Sequence, residues 1–478
     1  MAPTRPTVVV LSGDLLDDLT STQLLDCTSY ADADAVCASD GMAALSLRAR
    51  GDRLGDVEAL LSVEASGTGD PDVHRLGDVD VVVATTDGEL AAVADLEREG
   101  RLDPSTETYV FTDRLAVDVD PVELSATLTG REAYLDALSP TDLDGSYTHV
   151  TTEAPAGYRR RWDDHVVVGC GVDDDPSAAS IPLLTLAPDG TVCASDVRPG
   201  SLGLRAIRGV GVETARRLGE TGYRDPAAVA DATVLDLSRL DGVSRNRAET
   251  LRENASALVS GEVVRRGDEG FPDRDPVFVD VETDGLSPTA VWLVGVLDRT
   301  GEETYCSFLA TDPDEPGRAV EAFVRWYATN AAGRPIAAYN GHGFDFPVLR
   351  EHVGRHCPEY LDTWEAAPRF DPLSWARDGN AVLPGRTNQL DDVAVALGHE
   401  SADTGLTGAV VARRYRRWAR DRTPEAELDW ERHERYCEDD VRALACVYDA
   451  LDEARRTARG TDGTNAAADT TQGRLSDF

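Results

Sequence analysis

The segment 276–287 constrains the fold of this chain more than any other feature. Its sequence, PVFVDVETDGLS, places valines at alternate positions around Asp280 and Glu282 and ends in a turn signal. Alternate side chains of a strand share a face, so we expect both carboxylates on one face of a largely buried strand. Two buried acids on one face are costly unless they bind a cation.

Two further segments supply acidic residues, at 340–345 (NGHGFD) and 436–440 (YCEDD). Pro347 suits the first turn of a helix, so Asp345 is expected where a helix begins. There it can be a metal ligand or only an N-cap. Tyr436 and Asp440 lie four residues apart in a helical stretch, so their side chains project together.

Four carboxylates and a tyrosine suit phosphodiester hydrolysis. Hard oxygen ligands hold Mg²⁺ or Mn²⁺ and leave positions for water and a substrate phosphate. Two such ions, about 4 Å apart, activate the attacking water and stabilise the leaving oxygen. A tyrosine hydroxyl can orient that water. The pattern therefore predicts two Mg²⁺ or Mn²⁺ ions as cofactors.

These segments resemble the exonuclease motifs of the DEDD superfamily, in its tyrosine-containing branch, and the proofreading domain of family B DNA polymerases. The matching residues are Asp280 and Glu282, then Asn340, Phe344 and Asp345, then Tyr436 and Asp440. The resemblance covers roughly residues 276–453 and implies a ribonuclease H-like domain with a mixed sheet flanked by helices. It also implies 3′→5′ polarity, the four acids as metal ligands, Tyr436 as a catalytic residue, and Asn340 and Phe344 as substrate contacts.

The segment 203–260 is helical and repeats a hairpin pattern. Gly209 and Gly211 mark the first copy, and Gly242 and Ser244 mark the second. Such glycines permit a tight turn that aims backbone N–H groups and a helix N-terminus at a phosphate. The repeat resembles the tandem helix-hairpin-helix modules of DNA repair proteins. A plain pair of helices is the alternative, and Ser244 allows the second hairpin to be purely structural.

Arginines are concentrated at 404–422, between the second and third acidic segments. Arg413, Arg416 and Arg417 are predicted to contact phosphates. Tyr415 and Trp418 can stack on bases or pack in the core, and the core is the expectation.

Composition indicates where such a protein works. The formal net charge is −40, and all 47 basic residues are arginine. We interpret this acidity as adaptation to molar salt, where the Debye length is about 3 Å. The eight cysteines are scattered, so neither a zinc ribbon nor a redox motif is suggested, and a reducing cytoplasm suits them. No stretch could span a bilayer, so no membrane partner is expected.

The predicted class is a multidomain α/β chain with a central all-α module. An N-terminal α/β region of unknown fold is expected over 1–150, with a helix over 122–138, and its function is not indicated. The other predicted parts are a β-rich segment (151–200), the hairpin module (201–262), a linker (267–275), the ribonuclease H-like domain (276–453) and a disordered tail (454–478).

The last seven residues fit Q-x-x-aliphatic-x-x-aromatic through Gln472, Leu475 and Phe478. They resemble the peptide by which replication and repair proteins bind the sliding clamp. An arbitrary polar tail is the alternative.

Together these features predict a metal-dependent 3′→5′ exonuclease acting on DNA, in repair or replication. A ribonuclease that trims RNA 3′ ends is a second hypothesis, because the acidic site does not exclude the 2′-hydroxyl. A catalytically silent DNA-binding adaptor is a third.

Overall fold

The strand predicted around the paired acids lies at the centre of a five-stranded sheet in the computed structural model. The chain divides into two units, residues 1–205 and 206–478. The structure describes residues 5–51, 54–55, 57–63, 70–120, 125–130, 143–156, 158–162, 165–171, 180–402 and 404–468.

The first unit contains two mixed sheets. Its strands are β1 (Thr7–Leu11), β2 (Ala35–Ala38), β3 (Ala59–Ser62), β4 (Asp72–Leu76), β5 (Val79–Val83), β6 (Glu107–Thr112), β7 (Ala116–Asp120), β8 (Ser125–Thr129), β9 (Ser146–Pro155), β10 (Arg159–Trp162), β11 (His165–Gly171), β12 (Ile181–Leu186) and β13 (Val192–Val197). Its helices are α1 (Gly13–Asp18), α2 (Ser21–Tyr30), α3 (Gly41–Ala49) and α4 (Asp87–Arg98). The strand orders are β13-β12-β1-β2-β3 and β10-β11-β9-β6-β5-β4, and β7 and β8 form a separate hairpin.

Two predictions for this unit need correction. The pattern predicts a helix over 122–138, but β8 lies within that range and pairs antiparallel with β7. The predicted boundary between residues 150 and 151 falls inside β9, which pairs in parallel with both β6 and β11. The first point was decided by a local hairpin between β7 and β8. The second was decided by the pairing of β9 with β6, which lies more than 30 residues earlier, and local composition does not report such pairing.

The second unit begins with the helical repeat. Its helices are α5 (Val212–Glu220), α6 (Pro226–Ala230), α7 (Val234–Leu237) and α8 (Arg245–Ser260). Equivalent apolar residues of the two copies are buried, namely Ile207 and Leu240, Val210 and Val243, and Leu218 and Leu251. These pairs form the module's small core.

The remaining strands are β14 (Val264–Arg265), β15 (Val277–Thr283), β16 (Val291–Asp298), β17 (Thr304–Leu309), β18 (Ile336–Ala337), β19 (Arg369–Phe370) and β20 (Ala381–Val382). The helices are α9 (Arg318–Asn330), α10 (Asp345–His356), α11 (Leu361–Ala366), α12 (Pro372–Trp375), α13 (Leu390–Ala396), α14 (Gly408–Asp421) and α15 (Trp430–Ala468). The central sheet has the order β17-β16-β15-β18-β19; β15 is antiparallel to β16 and parallel to β18.

The two faces of β15 pack in different cores. Its valines lie with Phe323 and Leu349 of α9 and α10. Phe278, on the other face, lies with Val441 and Leu444 of α15. Asp280 and Glu282 alternate with the valines and therefore share the Phe278 face, which looks toward α15.

Two further predictions need correction in this unit. Phe271, inside the predicted linker, is buried against Phe370, Trp375 and Tyr448 at ring distances of 5.1–5.2 Å, so the linker is part of the core. Residues 454–468, inside the predicted tail, continue α15. Extending an existing helix adds one hydrogen bond for each residue ordered, and alanine and arginine favour it. Among the described residues, no helix is both long and apolar enough to cross a membrane.

Candidate active site

Strand β15 contributes Asp280 and Glu282 to the site. Glu282 is 6% exposed, and a register shift between Glu282 and Thr283 interrupts the pairing with β16 just after it. Asp280 lies opposite Gly295 of β16. A Cβ at residue 295 would lie 2.5 Å from the Cys437 sulfur and 3.1 Å from the Tyr305 hydroxyl. Glycine is therefore required there, because the side chains beneath Asp280 fill that space.

Asp345 reaches the site from the first position of α10 and is 5% exposed. The turn before it is tightly built. Asn340 has a φ of +57°, and a Cβ at Gly341 or Gly343 would lie 2.7 Å from Phe346 or Asn340 respectively. Phe344 precedes the helix and packs against the core of α9 and α10. The geometry therefore places Asp345 as an inward-facing residue within the helix, and not as its N-cap.

Asp371 stabilises the turn 340–344 through hydrogen bonds and was not predicted from the sequence. It caps α12, and its carboxylate accepts the backbone N–H groups of Asn340 at 3.0 Å and His342 at 3.1 Å. An Asp followed by Pro signals an N-cap in the sequence. The bonds to residues 340 and 342 have no local signal.

Tyr436 and Asp440 project from α15 four residues apart, and burial, followed by the charge of Asp440, raises the pKa of Tyr436. The two preceding acids, Glu438 and Asp439, bind other residues. Asp439 binds His399, Ser401 and the N–H of Ala402, while Glu438 pairs with Arg442. Only one of the three consecutive acids of this segment therefore faces the site.

The four carboxylates are close enough to disfavour each other's ionisation. Burial, with a contribution from the charge of Asp345, raises the pKa of Asp280 to about 7. Burial also raises the pKa of Asp345 to about 7, and Asp371 and Asp440 add to the effect. Burial raises the pKa values of Glu282 and Asp440 well above their ordinary range, and Asp280 contributes to both. The structure thus brings together all five residues predicted for catalysis.

Cys437 is the second residue that the sequence analysis missed. Its buried thiol donates a hydrogen bond to Asp280 Oδ2 at 3.5 Å. Burial, then the charges of Asp280 and Glu282, raise its pKa well above the ordinary value, so the group is a protonated thiol. Helical spacing could have found it, because Cys437 and Asp440 are three residues apart on α15.

A divalent cation fits this donor set. Among the described residues, donor atoms of Asp280, Glu282 and Cys437 lie within 4.8 Å of one another. Carboxylate oxygens suit Mg²⁺ and Mn²⁺, and a cation would relieve the repulsion that raises the pKa values of these acids. The buried acids therefore provide the observation that a bound cation would explain.

Beside the site, α14 presents the predicted arginines to solvent. Arg413, Arg416 and Arg417 are exposed, whereas Tyr415 is buried and stacks on Trp292 at 5.0 Å. The core position predicted for the aromatic residues is thus confirmed for Tyr415. A Cβ at Gly285 would lie 3.4 Å from an Arg416 guanidinium nitrogen, so Arg416 reaches the loop that follows Glu282.

That loop also exposes a large apolar side chain. Leu286 is 92% exposed, three residues after Thr283. The loop is closed by Asp284, which accepts from the N–H of Thr289 at 2.8 Å and the N–H of Ala290 at 3.2 Å. An exposed leucine on a well-bonded loop offers an apolar surface next to the acids.

The two hairpins have the same turn but different helix starts. Gly209 and Gly242 have φ values of +85° and +76°. Gly211 caps α5 without a side-chain hydrogen bond, and a Cβ there would meet nothing within 4 Å. In contrast, the Ser244 hydroxyl accepts from Arg247 N at 3.3 Å and thus caps α8 itself. The start of α5 is therefore more open than the start of α8.

The clamp-type peptide, with Gln472, Leu475 and Phe478, lies outside the described residues.

Comparison with known families agrees with this division of the chain. The model of the RNase_H superfamily matches residues 277–452, and the model of the SAM-like helix-hairpin-helix tandem matches residues 201–256. No curated protein matches the chain. The chain therefore carries a nuclease-type domain of the ribonuclease H superfamily, preceded by a helix-hairpin-helix module of the nucleic-acid-binding kind. Both expectations of the sequence analysis are confirmed at that level.

Proposed function

We propose that this protein is a divalent-metal-dependent 3′→5′ exonuclease of the tyrosine-containing DEDD branch, acting on DNA in repair or replication. One observation carries the proposal. Asp280, Glu282, Asp345 and Asp440 converge from one strand and two helices on a single site, in which Glu282 and Asp345 are buried and Asp280 and Asp440 are half-buried, with Tyr436 one helical turn before Asp440. Two buried and two half-buried acids at one site are unfavourable without a cation, so the arrangement is best explained by catalysis with metal.

The carboxylates and Tyr436 would have different roles in catalysis. The four carboxylates would hold two Mg²⁺ or Mn²⁺ ions, and bound ions of this kind activate water and stabilise a leaving oxygen. Tyr436 would orient the attacking water with its hydroxyl. Because burial, followed by the charges of Asp440, Glu282 and Asp280, raises the pKa of Tyr436, that hydroxyl stays protonated and can donate.

The substrate strand would lie across the loop 284–290 and α14. Arg413, Arg416 and Arg417 would neutralise phosphates by contact, which works at high salt where long-range attraction is screened. Leu286 would pack against a base. Asn340 and Phe344, on the turn before Asp345, would contact the terminal nucleotide.

The hairpin module would bind the sugar-phosphate backbone of the nucleic acid away from the cleavage site. Gly209 and Gly211 leave the start of α5 open to a phosphate, and such contacts position nucleic acid without reading its sequence. Gly242 and Ser244 would make a weaker second contact, because the serine hydroxyl already satisfies one N–H group. This combination favours a polymeric substrate of any sequence.

Digestion of 5′-labelled single-stranded DNA, duplex DNA and RNA in molar KCl, with Mg²⁺ or Mn²⁺, tests the proposal. We expect DNA to shorten from its 3′ end and the Asp280→Ala and Asp440→Ala variants to be inactive. Glu431→Gln, an exposed acid on the same helix α15, is the matched control and should remain active. Activity in the two alanine variants would show that the site is elsewhere.

Other outcomes select the other hypotheses. Cleavage of RNA alone would identify a ribonuclease that trims 3′ ends. No cleavage of any substrate, together with tight DNA binding, would identify a silent adaptor. A helix-hairpin-helix module is compatible with either.

The proposal includes a sliding clamp as partner through Gln472, Leu475 and Phe478. Leu475 and Phe478, three residues apart, would face one way in a helical turn and fill an apolar pocket. Binding of the clamp to a peptide covering 472–478, compared with a peptide carrying Leu475→Ala and Phe478→Ala, tests this part. Equal binding of both peptides would remove the clamp from the proposal.

A further inference from the structure

Arg208 lies inside the first hairpin but does not face the phosphate site. Its guanidinium donates to Asn388 Oδ1 at 2.5 Å, to the Thr387 carbonyl at 3.5 Å and to the Leu383 carbonyl. The side chain is half-buried, and burial is the main reason that its pKa is lowered. An arginine with these three acceptors is committed to protein contacts and is not available to a phosphate.

The hairpin backbone is held at the same residue. Asn254 of α8 donates its side-chain N–H to the Arg208 carbonyl at 2.8 Å. Because both the carbonyl and the guanidinium are bonded, the turn 207–211 cannot rotate without breaking the contacts to the segment 383–388. Arg208 therefore joins the first hairpin to the nuclease domain.

The segment 383–388 continues this connection toward the acidic site. The Tyr339 hydroxyl donates to the Asn388 carbonyl at 3.0 Å. Tyr339 is followed by Asn340, whose N–H is bound by Asp371. The turn fixed in this way ends at Asp345. Within the turn, the Phe344 N–H donates to the Asn340 carbonyl at 3.1 Å, and Phe344 directly precedes Asp345. Hydrogen bonds and short stretches of chain thus connect the hairpin with one of the four acids.

A second attachment lies at the other end of the module. After α8 the chain forms β14, which pairs antiparallel with β20, and Glu253 of α8 pairs with Arg266. Gly261 ends α8 so close to the domain that a Cβ there would lie 2.7 Å from the Ala396 carbonyl. Loss of the Arg208 side chain would leave this end attached and would remove only the hairpin's bonds to the segment 383–388.

We propose that Arg208 is a positioning residue that holds the first hairpin in register with the acidic site, so that both engage one polynucleotide as a single unit. The inference rests on the proposed function and specifies its substrate class. The preferred substrate is a polynucleotide long enough to reach hairpin and site together. A fixed second contact raises affinity for such a chain and does nothing for one too short to reach it.

The test compares Arg208→Met and Asn388→Leu with Arg239→Met. Arg239 belongs to the same module, and its ion pair among the described residues is local, with Asp236 three residues before it. For a long DNA we expect KM to rise roughly tenfold in Arg208→Met, with kcat unchanged. For the shortest oligonucleotide that the unaltered protein degrades, we expect no change. Asn388→Leu should act in the same direction. The double variant should be no worse than Arg208→Met, because the Arg208–Asn388 bond is already lost in Arg208→Met.

DNA binding, followed by fluorescence anisotropy without catalysis, separates this inference from the proposed function. Weaker binding of long DNA by Arg208→Met, with short oligonucleotides unaffected, supports the inference even if no substrate is cleaved. Equal effects on long and short chains, or an effect no larger than that of Arg239→Met, would overturn it. If the methionine variant does not fold, Asn388→Leu answers the same question, because it leaves the other two acceptors of Arg208 intact.

Discussion

The thiol of Cys437 donates a hydrogen bond to Asp280 Oδ2 across 3.5 Å. Gly295 leaves the space for Cys437 and for the Tyr305 hydroxyl, which donates to the Glu434 carbonyl at 3.4 Å. Asp280 is therefore oriented by the Cys437 thiol, which would not itself need to touch a cation. Such supporting contacts fix the direction in which a carboxylate presents its other oxygen.

Replacing Cys437 should separate the donor from the volume of the side chain. In Cys437→Ala the hydrogen bond is lost, and we expect Mn²⁺ affinity to fall by roughly tenfold. Cys437→Ser keeps a donor and should bind Mn²⁺ nearly as well as the unaltered protein. Titration of metal-free protein with Mn²⁺, followed by electron paramagnetic resonance, measures both. Equal losses in the two variants would indicate that the sulfur itself is a ligand.

Gly295→Ala should destabilise the protein, because the new Cβ would lie 2.5 Å from the Cys437 sulfur. Overpacking of this kind costs about 1–3 kcal/mol in the free energy of unfolding. Adding Cys437→Ala removes the obstructing atom and should restore much of the stability. Urea denaturation of Gly295→Ala, Cys437→Ala and the double variant gives the comparison. Failure of the second substitution to help would contradict the close contact.

Metal removal should make stability fall as pH rises. The native pKa values of Asp280 and Asp345 are raised to about 7 from ordinary values near 4, so the native state binds more protons than the unfolded state between these limits. The free energy of unfolding therefore decreases as pH increases from about 4 to above 7. Thermal melting in a chelator at pH 5 and pH 8 should show the lower midpoint at pH 8.

Two controls sharpen that measurement. Excess Mg²⁺ should remove most of the decrease, because a cation favours the ionised acids. Asp280→Asn should melt higher than the unaltered protein at pH 8 in chelator, since one buried charge is gone. A melting temperature that rises with pH in chelator would contradict the assigned pKa directions.

Asp371→Asn should act on Asp345 from a distance. The Asp371 charge raises the pKa of Asp345, so its removal should lower that pKa. Asp371→Ala also removes the acceptor for the N–H groups of residues 340 and 342, and should cost about 2 kcal/mol of stability or more. We expect the alanine variant to lose activity with the turn, and the asparagine variant to retain more. Urea denaturation and the rate of DNA digestion distinguish the two.

Arg416→Met should weaken DNA binding without changing sequence preference, as expected for a phosphate contact. Arg420→Met is the control, because Arg420 is on the same helix and pairs with the adjacent Asp421 at 2.6 Å. The dissociation constant should rise severalfold in the first variant only, for DNA of two unrelated sequences, as loss of one phosphate contact implies. A change confined to one sequence would indicate base reading.

Much of the site could be predicted from sequence because its parts are local. Asp280 and Glu282 share a face by the period of a strand, and Tyr436 and Asp440 meet by the period of a helix. The hairpin turns at Gly209 and Gly242 could also be predicted, since a left-handed backbone conformation strongly favours glycine. The predicted linker over 267–275 was wrong for the opposite reason, because the distant residues Phe370, Trp375 and Tyr448 bury Phe271. The predicted helix over 122–138 was wrong because β8 pairs with the neighbouring strand β7.

The sequence by itself therefore determined which residues are candidates for the chemistry and which segments form the module and the nuclease-type domain. Only the tertiary structure decided what holds them. Cys437 and Asp280 are 157 residues apart, and Arg208 and Asn388 are 180 residues apart. No periodicity spans such intervals. These contacts exist because folding brings the chain segments together, and the same packing decides which acid of 438–440 faces the site and which cysteine supports it.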